Sequence, residues 1–548
     1  EIEAEEREDT LGALEKCHKG RQEEPGDVHA AEAWYMRFCR DPRSAAREWS
    51  SEVERLAERP ETVAVARAML TWWDGIDLEE EVADAETRAH CLVALADRLR
   101  DVPQRDMRGP LRRTIESYDA ALRVYTQKAA PQDWATTQNN LGVAYSDLPT
   151  GDRGENLRRA IEHYEAALRV RTEEAAPQEW AATQNNLGTA YSDLPTGDRG
   201  ENLRRAIECY KAALRVRTEE AAPRQWAMTQ NNLGNAYRDL PTGDQGENLQ
   251  RAIEHYKAAL RVRTEEAAPG DWAMTQNNLG NAYSDLPTGD RGENLGQAIR
   301  CFEAALRVYT EEAAPQQWAT VQNGLGVAYS DLPTGDRGEN LRRAIEHYEA
   351  ALRVYTEEAA PQWWAGIQNN LGLAYSDLPT GDRGENLRRA MECYEAALRV
   401  YTEKAAPHEW ARTQNNLGNA YQKLPTGDRG ENLRQAIRCF EAALRVCTEE
   451  AAPRDRVRTL GNAALALAEA DDSRERLRAI PFAVEATRLD PDDPDTWDTL
   501  AYCYFKVERW SDAVESWDRA LALDPEWFTE HEYAQWRYDE AARRAAQA

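Results

Sequence analysis

WATTQNNLGVAYSDLPTGDRGENLRRAIEHYEAALRV, residues 134–170, is spelled again with few changes at a fixed interval. The tryptophan that opens it returns at Trp180, Trp226, Trp272, Trp318, Trp364 and Trp410, each time 46 residues on. A period of that size predicts stacked repeats, because one such unit cannot bury its apolar side alone and must lean on its neighbours. Each unit then touches only the next, so 548 residues are compatible with one continuous array and no regular domain boundaries.

Within one copy the spacing of apolar and small residues predicts two helices. Trp134, Leu141, Ala144, Tyr145 and Leu148 recur at helical spacing on one face, and Pro149 ends the run. Pro149-Thr150-Gly151-Asp152-Arg153-Gly154 is turn chemistry, with glycines for backbone angles that other residues avoid and an aspartate able to accept from nearby amides. Glu155 suits the positive end of a second helix, which carries Leu157, Ala160, Ile161, Tyr164, Ala167, Leu168 and Val170 inward. Ala175-Ala176-Pro177 is expected to close the copy. Small residues at Gly142, Ala144, Ala160 and Ala167 predict close helix approach, with Tyr145, Tyr164 and Leu168 filling the space between.

The order Leu141-Gly142, Ala144-Tyr145, Ala160, Tyr164, Ala167 resembles the tetratricopeptide repeat, a helix-turn-helix of about 34 residues. These units are longer by about twelve residues, placed as six in the inter-helix loop and six at the second helix and its exit. Long units of that kind are similar to kinesin-light-chain repeats. Similar bacterial arrays are often joined to caspase-like CHAT proteases or to NTPases of defence systems. The resemblance is strongest near the end, where Trp497, Leu500, Ala501, Tyr504, Ala513, Trp517, Ala520 and Pro525 sit at the spacing of an ordinary unit. It implies an all-α fold: a right-handed solenoid of antiparallel helix pairs with a helical N-terminal region. The expected organisation is a helical region over 1–87 with Trp34, Tyr35, Trp72 and Trp73 as core; a degenerate first unit, 88–133; seven near-identical units, 134–455; a degenerate unit, 456–491; an ordinary repeat, 492–525; and a capping helix within 526–548.

A formal charge of -29 argues against direct binding of nucleic acid or an anionic membrane, both of which need clustered Lys and Arg, and makes a basic partner the easier expectation. Nine cysteines without a CxxC pair suggest free thiols in a reducing compartment, hence a cytoplasmic location. No signal peptide and no apolar run of membrane-spanning length is present in the sequence. The chain opens on Glu1, which is expected of a processed or truncated piece of something longer.

Three patterns invite a chemical reading. The Gly-Asp-Arg-Gly loop precedes a helix, as phosphate loops do, but Glu-Asn stands where a Walker loop needs Lys-Ser/Thr, so it is expected to be a structural turn. His163, Cys209, His255, Cys301, His347, Cys393 and Cys439 form a ladder along the second helices. Neighbouring helices lie roughly 8–10 Å apart, whereas metal ligands converge to about 2 Å, so no metal and no cofactor is expected.

The third pattern is the asparagine pair. Asn139 and Asn140 recur as Asn185 and Asn186, Asn231 and Asn232, Asn277 and Asn278, Asn369 and Asn370, Asn415 and Asn416, with Gly324 breaking the row. The resemblance implies that these positions face the concave surface, as in the asparagine ladders that hold extended peptides by their backbone. The cations of a carboxylate clamp are missing. Around the ladder the copies differ: Thr136, Ala182, Met228, Met274, Thr320, Gly366 and Arg412 stand two residues after the tryptophan, and Val143, Thr189, Asn235, Asn281, Val327, Leu373 and Asn419 stand nine after it. Drift at unconstrained surface positions would give the same variation. The expected function is a non-enzymatic scaffold that binds a peptide or protein in its groove, as sensor or adaptor of a bacterial defence or signalling assembly. The alternatives are the regulatory array of a larger enzyme, such as a CHAT protease, and a self-assembling structural protein.

Overall fold

The structure, a computed structural model, describes residues 84–101, 108–527 and 531–547. The expectations for Trp34, Tyr35, Trp72 and Trp73 fall outside the described residues. Internal packing divides the chain into two compact units, Glu1–Ala268 and Pro269–Ala548. In the first, the helices are α1 (Ala85–Asp101), α2 (Arg108–Leu122), α3 (Pro131–Asp147), α4 (Arg153–Leu168), α5 (Pro177–Asp193), α6 (Arg199–Val216), α7 (Pro223–Arg238) and α8 (Gln245–Leu260). In the second they are α9 (Pro269–Asp285), α10 (Arg291–Leu306), α11 (Pro315–Asp331), α12 (Arg337–Leu352), α13 (Pro361–Asp377), α14 (Arg383–Val400), α15 (Pro407–Lys423) and α16 (Arg429–Leu444). After these come α17 (Pro453–Ala468), α18 (Ser473–Leu489), α19 (Pro494–Lys506), α20 (Trp510–Leu523) and α21 (Glu532–Ala545). Every described element is a helix, and within each unit successive helices pack on one another as hairpins, which makes each unit an α-solenoid of helix pairs.

The repeated residues account for the hairpin. Pro177 opens the first helix of its repeat instead of closing the previous copy, because the first helical position needs no amide donor and favours the fixed φ of proline. The loop then turns at Gly151, whose φ of 85° suits glycine. Asp152 caps the second helix, its Oδ1 accepting from the Glu155 amide at 2.7 Å. Asn156 Nδ2 donates to the Thr150 carbonyl at 2.8 Å, and the Arg153 guanidinium donates to the Ser146 carbonyl at the end of the first helix. A Cβ on Gly154 would stand 2.9 Å from Thr196 Cγ2 of the next loop. The Gly-Asp-Arg-Gly loop is thus occupied in holding its own hairpin and meeting the next.

Gly142 lets the two helices close, since a Cβ there would lie 2.6 Å from Cε1 of the buried Tyr164. The opening tryptophan ties repeats together. Trp180 packs on Ala181 and Ala213, and the Arg215 guanidinium lies 5.1 Å from its ring centroid. The same guanidinium donates to Glu173 of the preceding repeat at 2.7 Å.

Within each unit, successive first helices (α3, α5, α7; α9, α11, α13, α15, α17) pack directly on one another. Contact between successive second helices is at most marginal among the described residues. Each stack therefore bends toward its first helices, whose exposed sides form the inner face.

Candidate interaction groove

A first helix offers the inner face one stripe, at the positions one before and two, six and nine after the tryptophan, because steps of three and four residues stay on one helical side. In α3 these are Asp133, Thr136, Asn140 and Val143. The second asparagines, Asn140, Asn186, Asn232, Asn278, Asn370 and Asn416, are all half-buried on this stripe. So are Met228, Asn235, Asn281 and Asn419, while Thr189, Met274 and Arg412 are exposed. Arg412 has no carboxylate partner among the described residues.

The first asparagines lie elsewhere, which corrects the expectation of a doubled groove row. Asn185, Asn231, Asn369 and Asn415 are buried and Asn139 and Asn277 half-buried, and within each unit these positions lie at the joints between repeats. Their side chains act as latches. Thr183 Oγ1 donates to Asn139 Oδ1 at 3.1 Å, Thr229 Oγ1 to Asn185 Oδ1 at 3.1 Å and Thr413 Oγ1 to Asn369 Oδ1 at 3.2 Å. Some second asparagines join them: Asn186 Nδ2 donates to Asn139 Oδ1 at 3.5 Å and Asn416 Nδ2 to Asn369 Oδ1 at 3.1 Å. Asn140 Nδ2 donates to Asp97 Oδ1 at 3.0 Å. These amides are already spent on holding one repeat to the next, which limits what they can offer a ligand.

The latch opens at two joints. Val321 replaces the threonine and Gly324 the asparagine that would face Asn277, and Ile367 replaces the threonine that would face Asn323. Asn277 Oδ1 and Asn323 Oδ1 are consequently buried without a hydrogen-bond partner.

Sequence reasoning missed a row of buried arginines. Arg171, Arg217 and Arg263 are each 6% exposed at the exit of a second helix. Arg171 donates to Thr183 Oγ1 and Thr136 Oγ1, both at 3.0 Å, and Arg217 to Thr229 Oγ1 at 3.1 Å. Burial pulls both guanidinium groups below the usual arginine value. The later repeats carry Tyr309, Tyr355 and Tyr401 instead, and there the hydroxyls donate to the carbonyls of Gly270, Gln316 and Gln362. The signal was present in the sequence: arginine pairs with a threonine twelve residues on, and two of the three tyrosines pair with Val321 or Ile367.

The histidines of the His/Cys ladder are bound within their own hairpins. His163 stacks on Tyr145 at 5.4 Å and its Nδ1 meets Gln138 Oε1 at 2.6 Å; His255 and His347 repeat this with Tyr237 and Gln230, Tyr329 and Gln322. Burial pushes His163 and His255 down to about 4 and lowers His347 as well. Among the described residues, no group of His, Cys, Asp and Glu is placed to hold a metal, and no helix is long and apolar enough to cross a membrane.

Comparison with known proteins matches a tetratricopeptide-repeat family model to residues 494–527, which span α19 and α20. No curated protein matches the chain in sequence. Among solved structures, the chain is similar to MamA at 22% identity, with 36% of this chain and 88% of that one covered and a TM-score of 0.25. The Cut9 complex with Hcn1 is similar at 15% identity, 94% and 96% coverage and a TM-score of 0.38. Human IFIT1, solved as a dimer with PPP-AAAA, is similar at 15% identity, 84% and 87% coverage and a TM-score of 0.40. Residues 494–527 thus carry a recognised tetratricopeptide repeat, and the helices within each compact unit pair in the same helix-on-helix way.

Proposed function

We propose that this chain is a non-enzymatic scaffold that holds a peptide or protein partner along the inner face of its helix pairs, as the sensor or adaptor part of a larger assembly. One observation carries the reading. Copies that keep nearly the same loop and core residues differ on the inner stripe, at Met228, Asn235, Met274, Val327, Leu373 and Arg412 among others. Side chains that vary unit by unit along an accessible face can give a ligand register, which a uniform row of amides cannot. Since the amides are partly spent on latches, selectivity falls to these variable side chains, and affinity to the few that bury apolar area. The acidic balance of the chain favours a partner with a basic surface for long-range attraction.

Photo-crosslinking tests this. A photoreactive residue placed at Met228 or Met274, on the inner stripe, is expected to trap one defined partner in the native cell extract. The same group at the exposed second-helix positions Glu254 or Glu346 is expected to trap none of it. Trapping at Glu254 and Glu346 alone, or the same products from both faces, overturns the groove assignment.

A further inference from the structure

We propose that the repeat over 361–406 holds the anchor subsite of the groove: a notch for one bulky apolar side chain, followed one repeat later by a cation for an acidic one. The proposal rests on the groove reading above and names the class of ligand it takes, an extended peptide with an apolar residue and a carboxylate three residues apart.

Met274, Trp363 and Leu373 are large apolar side chains left 37%, 53% and 39% exposed, and all three lie on the inner stripe. Two of them belong to α13, where the stripe reads Trp363, Gly366, Asn370, Leu373; the preceding repeat has Gln317, Thr320, Gly324, Val327 at the same places. The Trp363 ring stacks on the buried Tyr355 at 5.5 Å and 13°, so one aromatic face is fixed before any ligand arrives. Gly366 then leaves a gap between Trp363 and Leu373. A Cβ there would meet only the Tyr401 hydroxyl, at 3.2 Å, and that hydroxyl already donates to the Gln362 carbonyl. The floor of the notch is therefore polar at one point only, and satisfied.

The notch has an unspent hydrogen-bonding group beside it. Asn370 forms no hydrogen bond among the described residues, and its counterpart across the joint, Asn323 Oδ1, is buried without a partner. Asn416 in the next repeat, by contrast, is committed to Asn369. Asn370 is free to bond the backbone of a peptide whose side chain fills the gap. The exposed, unpaired Arg412 occupies the position of Gly366 one repeat on. Repeats advance by about 10 Å and an extended peptide by about 3.3 Å per residue, which sets the carboxylate roughly three residues from the anchor.

The sibling repeats provide a substitution set compatible with the fold. Trp363→Gln, Gly366→Thr and Leu373→Val together give three of the four stripe positions the residues of the preceding repeat and keep Asn370; in that repeat Thr320 Oγ1 and Tyr355 Oη sit at 2.7 Å. The probe is a fluorescein-labelled peptide amide, Ser-Gly-Ser-Phe-Ser-Ser-Glu-Ser-Gly, and its reversed form, read by anisotropy against the full chain. One of the two orders is expected to bind, about tenfold tighter than the same peptide with Ser for Phe. That preference is expected to vanish in the triple variant while its circular dichroism stays unchanged. Arg412→Met is expected to remove the preference for Glu over Lys in the peptide and to leave the preference for Phe intact. Equal binding of Phe and Ser peptides, or an unchanged Phe preference in the folded triple variant, overturns the notch. If the peptides still compete with inner-face crosslinking at Met274 in that case, the groove reading stands and only the anchor assignment falls; if no inner-face crosslinking occurs at all, both fall.

Discussion

The latch between repeats gives unequal weight to two threonines that occupy equivalent positions. Thr229 Oγ1 shares its one hydrogen between Asn185 Oδ1 at 3.1 Å and the Gln225 carbonyl at 2.9 Å, and it accepts from Arg217 at 3.1 Å. Thr229→Val keeps the shape and strands two buried partners: the Asn185 oxygen, on a residue 4% exposed, and a guanidinium nitrogen on a residue 6% exposed. Each of the two stranded groups costs about 1–3 kcal/mol, and the added methyl returns about 0.8 kcal/mol, so the net loss is about 1–5 kcal/mol. Thr413 differs because Tyr401 replaces the arginine, and Asn369 Oδ1 keeps a second donor in Asn416 at 3.1 Å. Thr413→Val is therefore expected to cost no more than about 1 kcal/mol. Global unfolding of a long array is not two-state, so the measurement is native-state hydrogen exchange of α7 against α15. Protection of α7 is expected to fall by about two orders of magnitude and that of α15 by less than one. Equal losses, or a larger loss in α15, would refute the latch.

Other outcomes follow from the same contacts. Gly142→Ala forces a Cβ to 2.6 Å from the Tyr164 ring and is expected to destabilise its repeat by about 1–3 kcal/mol, whereas Gly296→Ala, with nothing within 4 Å, should raise helix stability by up to about 1 kcal/mol; exchange protection of α4 and α10 reads both. The buried histidines have folded values near 4 for His163 and His255 against 6.5 in the unfolded chain. Above pH 6.5 both states are neutral there and nothing changes. Between about 6.5 and 4 the unfolded chain takes up protons first, so stability falls as pH falls through that window. Replacing His163, His255 and His347 by Cys, the sibling residue, is expected to move the acid-unfolding midpoint downward in circular dichroism. Arg215→Gln, on the exposed outer ridge, should leave α6 protection nearly unchanged and lose what effect it has at high salt, because exposed ion pairs are screened.

Much of the fold was legible because it is written in short-range grammar repeated many times. The tryptophan period, the proline before each first helix, the glycine at positive φ and the Asp cap each act within a few residues, so one copy predicts its own hairpin. The Gly142–Tyr164 approach was legible too, since a glycine in a helix facing a large ring has a packing reason. The site was harder. Asn139 and Asn140 are neighbours in sequence, yet one turn of 100° sends the first into the joint and leaves the second on the stripe. Amide chemistry alone does not say which side is inner. Nor does it say that Val321, Gly324 and Ile367 leave the Asn277 and Asn323 oxygens without donors, because those donors come from a helix 44 to 47 residues away, as the intact joints show.

The amino-acid order by itself determined the repeat, the two helices in it and the turn between them, for these depend on local backbone preferences and on apolar spacing. Only the tertiary structure decided which polar groups the stack consumes and which it leaves to solvent. Burial is a property of two surfaces meeting, and a side chain learns whether its hydrogen bonds are satisfied only when the neighbouring repeat is in place.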